Sequence, residues 1–156
     1  PWNFVPVTAM AIFSGIYLNR SVAYGLPLAS MIVADLFIGM DWTSPVVYAS
    51  IFASAWIGTR VRNVYENKKH FVMAVGGGTF ASSVLFYLTT NFAAWLVIPE
   101  YSKDISGLMQ SYIMAIPFFK NALAGDMFFI TMFVGAYEMV QFVVTKLSRQ
   151  SAPIHG

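Results

Sequence analysis

Cysteine is absent from this chain, and histidine and charge are scarce. Without cysteine there is no disulfide, no thiolate metal site and no cysteine nucleophile. The two histidines fall in a basic loop, His70, and in the terminal tail, His155. A histidine-ligated metal or haem inside the fold is therefore not expected, and no other cofactor is implied. Charged residues make up 10% of the 156 positions, against about a quarter in a soluble domain. The net charge of +2 is small, and no nucleic-acid partner is expected. Motifs are missing as well. Gly76-Gly77-Gly78 lies in an apolar run without the lysine and hydroxyl of a phosphate-cradling loop, so the chain is not expected to hydrolyse ATP by itself. There is no Gly-x-Ser-x-Gly elbow and no paired-glutamate or histidine motif of an intramembrane protease, so no enzyme activity is expected. No filter motif supports a channel, and no tandem repeat supports an inverted-repeat transporter.

What the chain does have is apolar surface: 58% hydrophobic and 17% aromatic residues, with a mean hydropathy of +0.64. The few ionisable residues fall between apolar runs. This pattern predicts an all-α, polytopic transmembrane bundle, one domain over 1–147 with a polar tail over 148–156. Five segments read as crossings: Phe4 to Leu18, Val22 to Met40, Pro45 to Thr59, Phe71 to Thr90 and Asn121 to Thr145. Between the fourth and last lies a mixed stretch, Asn91 to Lys120, broken by Pro99 and Pro117. It reads as interfacial or re-entrant helices, with a further crossing open for Leu108 to Phe119. Arg20, Arg60, Arg62, Lys68, Lys69, Lys146 and Arg149 then share one side of the bilayer, leaving Lys103 and Lys120 on the other. The bias makes the first side, with loop 60–70 and the C-terminus, the cytoplasmic side of the cell membrane. The N-terminus falls outside, so one more helix before Pro1 is expected, giving six crossings.

Ionisable groups inside a span are costly and normally face a cavity or a partner. Asp35 and Asp126 sit at similar depth toward the outer face. Asn3, Thr8, Asn91, Trp42 and Trp95 come from other helix ends at that face, and Gln110, Tyr112, Lys120 and Asn121 from the mixed stretch. Together they resemble a ligand pocket, a few polar groups over an apolar floor. Each also has an ordinary role open to it: the aspartates pairing with Lys120 or capping helices, the tryptophans forming an aromatic belt. Glu138 and Gln141 lie apart, in the inner half of the last helix; a buried hydrogen bond or a proton- or cation-linked role are both open to Glu138. Small residues recur every four positions at Ala74, Gly78 and Ser82, at Ala11 and Gly15, and at Ala49 and Ala53. Such stripes let helices approach closely. They serve internal packing, or, on the first helix, docking of a partner.

Several of these segments resemble a known family. Asn3-Phe4-Val5-Pro6-Val7-Thr8-Ala9-Met10-Ala11 opens the likeness, Ala34-Asp35-Leu36-Phe37 within Pro27 to Gly39 continues it, and Thr90-Asn91-Phe92-Ala93-Ala94-Trp95 follows. Gly107, Tyr112, Ala115-Ile116-Pro117-Phe118-Phe119-Lys120-Asn121 and Gly125-Asp126 complete it. The chain resembles small bacterial and archaeal membrane proteins classed as substrate-binding (S) components of energy-coupling-factor transporters. The resemblance implies a vitamin-like or metal-related ligand near the outer face. It also implies a transmembrane coupling protein driven by two cytoplasmic ATPases. The expectation is therefore a small-molecule importer subunit whose ligand meets Asn3, Asp35, Asn91, Trp95, Tyr112, Lys120, Asn121 and Asp126. Paired aspartates would suit a cationic or hydroxyl-rich molecule. The alternative is a structural or accessory subunit of a larger energy-converting or photosynthetic membrane complex.

Overall fold

Apolar residues at helical spacing, separated by short polar turns, fold into helices throughout residues 4–150, the part that the structure, a computed structural model, describes. Among the described residues there are five: α1 (Val7–Tyr17), α2 (Arg20–Ile38), α3 (Ser44–Arg62), α4 (Lys68–Val97) and α5 (Ile105–Gln150). Their ends have chemical causes. The Asn19 side chain accepts from the Val22 amide and starts α2; Asn67 does the same with the His70 amide for α4. Asp104 accepts from the Gly107 amide at 2.8 Å at the start of α5. Gly39, at φ +100°, ends α2 in a conformation that residues with a Cβ rarely adopt. Two cations close C-termini, where carbonyls are left unpaired. Lys103 donates to the carbonyls of Trp95 and Ile98 at the end of α4. Arg62 donates to those of Gly15, Ile16 and Leu18 at the end of α1.

The turn into α3 is organised by Asp41, whose carboxylate accepts from the Thr43 hydroxyl and amide and from the Ser44 amide, while its own amide donates to Ser44 Oγ. The Thr43 hydroxyl is the main reason that the Asp41 carboxyl titrates below its ordinary value. A lowered pKa stabilises the folded turn above the unfolded carboxyl's pKa of about 4, and that contribution disappears as pH falls through the lowered value. Amide hydrogen exchange at Ser44 and Val46 is therefore expected to speed up below about pH 4 relative to the rest of α3, after correction for intrinsic rates. Thr43→Val would shrink this pH-dependent part, because the folded pKa moves back toward the unfolded value.

Asn91 to Lys120 corrects the sequence expectation. No separate interfacial helices form there: α4 runs on to Val97, and residues 105–120 are the first third of α5. Asp104, not Asn121, marks the start. Pro99 falls in the turn, but Pro117 lies inside α5. A proline removes one backbone hydrogen bond, and the apolar turns on both sides keep the helix continuous through it.

α1 is the hub and packs against the other four helices, whereas α2 touches only α1 and α3 among the described residues. The helices alternate in direction, so α1, α3 and α5 run parallel. Arg20, Arg60, Arg62, Lys68 and Lys69 consequently gather at one end of the bundle. The α1–α3 crossing is backbone on backbone: a Cβ on Gly15 would meet the Ala55 carbonyl oxygen and lie 2.8 Å from Gly58 Cα. Ala11 is buried beside Ile51 and Ala55. Ala11 and Gly15 are thus enclosed within the bundle and are not a surface for docking a partner. The buried stripe of small residues at four-residue spacing on α3 is Ser50, Ser54 and Gly58, one position on from the expected Ala49 and Ala53; Ala49 is exposed. On α4, Gly78 faces Ile57 and Val61 of α3, Ala74 packs on the cluster around Val61 and Phe71, and Ser82 is fully buried with its hydroxyl unpaired.

Among the described residues, α4 and α5 are long and apolar enough to cross a membrane. The five crossings expected from the sequence are not supported. α1 has 11 residues and rises about 16 Å, half of a ~30 Å hydrocarbon core. α2 and α3 have 19 residues each, diluted by Arg20 and Asp35 and by Arg60, Arg62 and several serines.

Candidate functional site

The start of α1, the second half of α4 and the middle of α5 enclose a cavity of about 370 Å³. Ser83, Phe86, Tyr87, Thr90 and Asn91 line it from α4, and Ala115, Phe118, Phe119, Ala122 and Asp126 from α5. Both sets follow spacings of three and four, the mark of a single helix face. Val7 and Thr8 of α1, Met31 of α2 and Ile51 of α3 complete walls that are mostly apolar.

Asp126 is the charged group of the cavity, and it is 3% exposed. Ser83 Oγ donates to its Oδ2 at 2.7 Å. The Thr8 hydroxyl and the Ala9 amide also approach the carboxylate. Both belong to the first turn of α1, whose preceding residue, Pro6, supplies no side-chain cap. Asp126 therefore occupies the place of an N-cap from another helix, at the positive end of the α1 dipole. Among the described residues no lysine, arginine or histidine pairs with it: the ion pair there is Lys68–Glu138. At the far end of the cavity, Asn91 Nδ2 donates to the Tyr87 carbonyl at 2.7 Å, and Thr90 Oγ1 to the Phe86 carbonyl at 2.6 Å.

Of the residues expected from the sequence to meet a ligand, Asn91 and Asp126 line this cavity. Asn3 lies outside the described residues. The others are placed elsewhere. Asp35 accepts a hydrogen bond from the Tyr48 hydroxyl and ties α2 to α3. Trp95 donates its indole N–H to the Ser102 carbonyl, bracing the α4–α5 turn. Tyr112 joins α5 to α4: its hydroxyl donates to the Leu88 carbonyl at 2.9 Å, and its own carbonyl accepts from Tyr87 at 2.7 Å. Lys120 is exposed and Asn121 half-buried, neither lining the cavity.

The chain matches, over residues 1–148, the model of a family of unknown function, DUF6580. It belongs to that family. No curated protein and no solved structure matches it, and nothing links it to energy-coupling-factor S components.

In this DUF6580 protein the residues that sequence reading left out of the site are Ser83, Phe86, Tyr87, Thr90, Phe118 and Phe119. Their signal was present as a stripe at spacings of three and four on each helix. It was hidden because residues 105–120 were not read as part of the last helix, so no facing stripe was available. Glu138 has a partner set of its own at the basic end. Its carboxylate accepts from the Tyr17 hydroxyl at 2.9 Å, the Tyr65 hydroxyl at 2.6 Å and the Lys68 ammonium at 2.9 Å. Tyr137 packs against Tyr17, with ring centroids 4.0 Å apart. This cluster joins α1, α4, α5 and the loop after α3. No group of three metal-ligating side chains converges among the described residues.

Proposed function

We propose that this protein is the membrane-embedded, small-molecule-binding subunit of an importer, holding its ligand in the cavity between α1, α4 and α5. The observation that carries this is a buried carboxylate with no cationic partner among the described residues, opening into an apolar cavity of ligand size. At about 370 Å³ the space is at the small end of ligand pockets, which run from roughly 300 to 1,000 Å³. α4 and α5 anchor the bundle in the cell membrane, with the basic end on the cytoplasmic side. The sequence has no phosphate-cradling loop, so transport on this reading requires a coupling partner with its own ATPases, of the energy-coupling-factor kind.

Native mass spectrometry of the protein gently released from its own membrane tests this. A retained metabolite that is lost in Asp126→Ala, with helical content unchanged, is expected. Equal retention by Asp126→Ala would sink the assignment.

One observation favours a second reading, an accessory subunit of a larger membrane complex. From Met139 onward α5 carries a run of exposed apolar side chains, Met139, Val140, Phe142 and Val143. An empty cavity in a complex of fixed stoichiometry without ATPases would select it.

A further inference from the structure

Resting on the reading of this cavity as a ligand site, we infer that its ligand is a small organic cation, an ammonium group on an apolar body. The hydroxyl groups around the cavity direct their protons elsewhere and leave acceptors. Thr90 donates to the Phe86 carbonyl, Asn91 to the Tyr87 carbonyl, and the Tyr87 hydroxyl to the Tyr112 carbonyl. Ser83 Oγ gives its proton to Asp126, the shorter of its two contacts. What remains on the lining side chains are the Thr90 and Ser83 lone pairs, the Asn91 amide with its carbonyl oxygen and one free N–H, and the carboxylate, which carries the only charge among them. A molecule that only accepts would leave these acceptors unmatched; one that donates satisfies them.

The charge argues the same way. The N-terminus of α1 supplies about half a positive charge near Asp126. Among the described residues the rest of the carboxylate's negative charge is buried without a counter-ion, which is costly until a cation arrives. Tyr87 and Phe119, with ring centroids 4.7 Å apart, give the cavity aromatic faces that attract an ammonium and accommodate an apolar body. A bare metal ion does not fit: hard cations take about six or more oxygen ligands, whereas the cavity has a single carboxylate and a few neutral oxygens, and no three metal-ligating side chains converge among the described residues.

Three probes of the same shape separate the possibilities: phenethylammonium, 2-phenylethanol and phenylacetate, titrated calorimetrically into the purified full chain in lipid nanodiscs. The ammonium is expected to bind about 30-fold or more tightly than the alcohol, with no detectable binding of phenylacetate. Asp126→Asn should abolish the preference. Because Asp126 also supports α1, the order of affinities in the wild-type protein decides independently of any variant. Alcohol or phenylacetate binding as tightly as the ammonium overturns the cation assignment and leaves the binding cavity standing. Binding of none of the three by a chain with intact helical content overturns both.

Discussion

Gly58→Ala is expected to drive α1 and α3 apart and to destabilise the bundle by about 3 kcal/mol, the upper range for overpacking a close contact. The added Cβ would meet the Ile12 carbonyl oxygen and lie 3.0 Å from Gly15 Cα. Both are backbone, so no rotamer change relieves the clash and one helix must move. α1 is the hub of the fold, so its movement also disturbs the Arg62 cap and the approach of Thr8 to Asp126. Gly76→Ala is the control, because a Cβ there meets nothing within 4 Å. It should be neutral or stabilising by about 0.5–1 kcal/mol, the usual gain from replacing a helical glycine. Denaturation monitored by circular dichroism compares the two. Equal stability would show that the α1–α3 contact is looser than the geometry requires.

Glu138→Ala is expected to cost about 2 kcal/mol by leaving two tyrosine hydroxyls and an ammonium without their shared acceptor. Glu138→Gln separates the contributions. Glutamine keeps a carbonyl oxygen for Tyr17 and Tyr65 and loses only the ion pair. That pair is exposed, with Lys68 and Glu138 side chains at 64% and 31% of their free areas, and such pairs contribute at most about 1 kcal/mol. The glutamine variant should therefore retain most of the stability lost in the alanine variant. Identical losses would mean that the charge pair, not the hydroxyl bonds, holds this end together. The same experiment bears on a proton- or cation-linked role for Glu138: the acceptor set explains its position without one.

Much of the secondary structure was legible. α2 and α3 lie within a few residues of the apolar runs that predicted them, because an Asn, Gly or Pro marks their ends chemically. The α4–α5 region was not, because Pro99 and Pro117 look alike in sequence. Pro99 sits in a turn braced by Lys103 and Trp95, whereas Pro117 is carried inside a helix that packs along α4. The candidate site was legible in one respect, that Asp126 and Asn91 belong together. Asp35 and Tyr112 lie outside this cavity, which the sequence does not reveal, because a polar residue in an apolar run reads the same whether it faces a cavity or a neighbouring helix.

By itself, then, the sequence determined what depends on composition and local chemistry. These are a helical chain, the gathering of basic residues at one end, and the lack of any thiol. Tertiary structure alone decided which faces meet. Gly15 became an internal contact, not a docking surface, because α3 presents Gly58 opposite it. Asp126 became the charged wall of a cavity because α1 begins beside it without a cap of its own, and because the aromatic stripes of α4 and α5 lean across the same space. Which residues share a face can be read from spacing along one helix. Which face it meets depends on the rotation and register of another helix, and these are set only when the whole bundle packs.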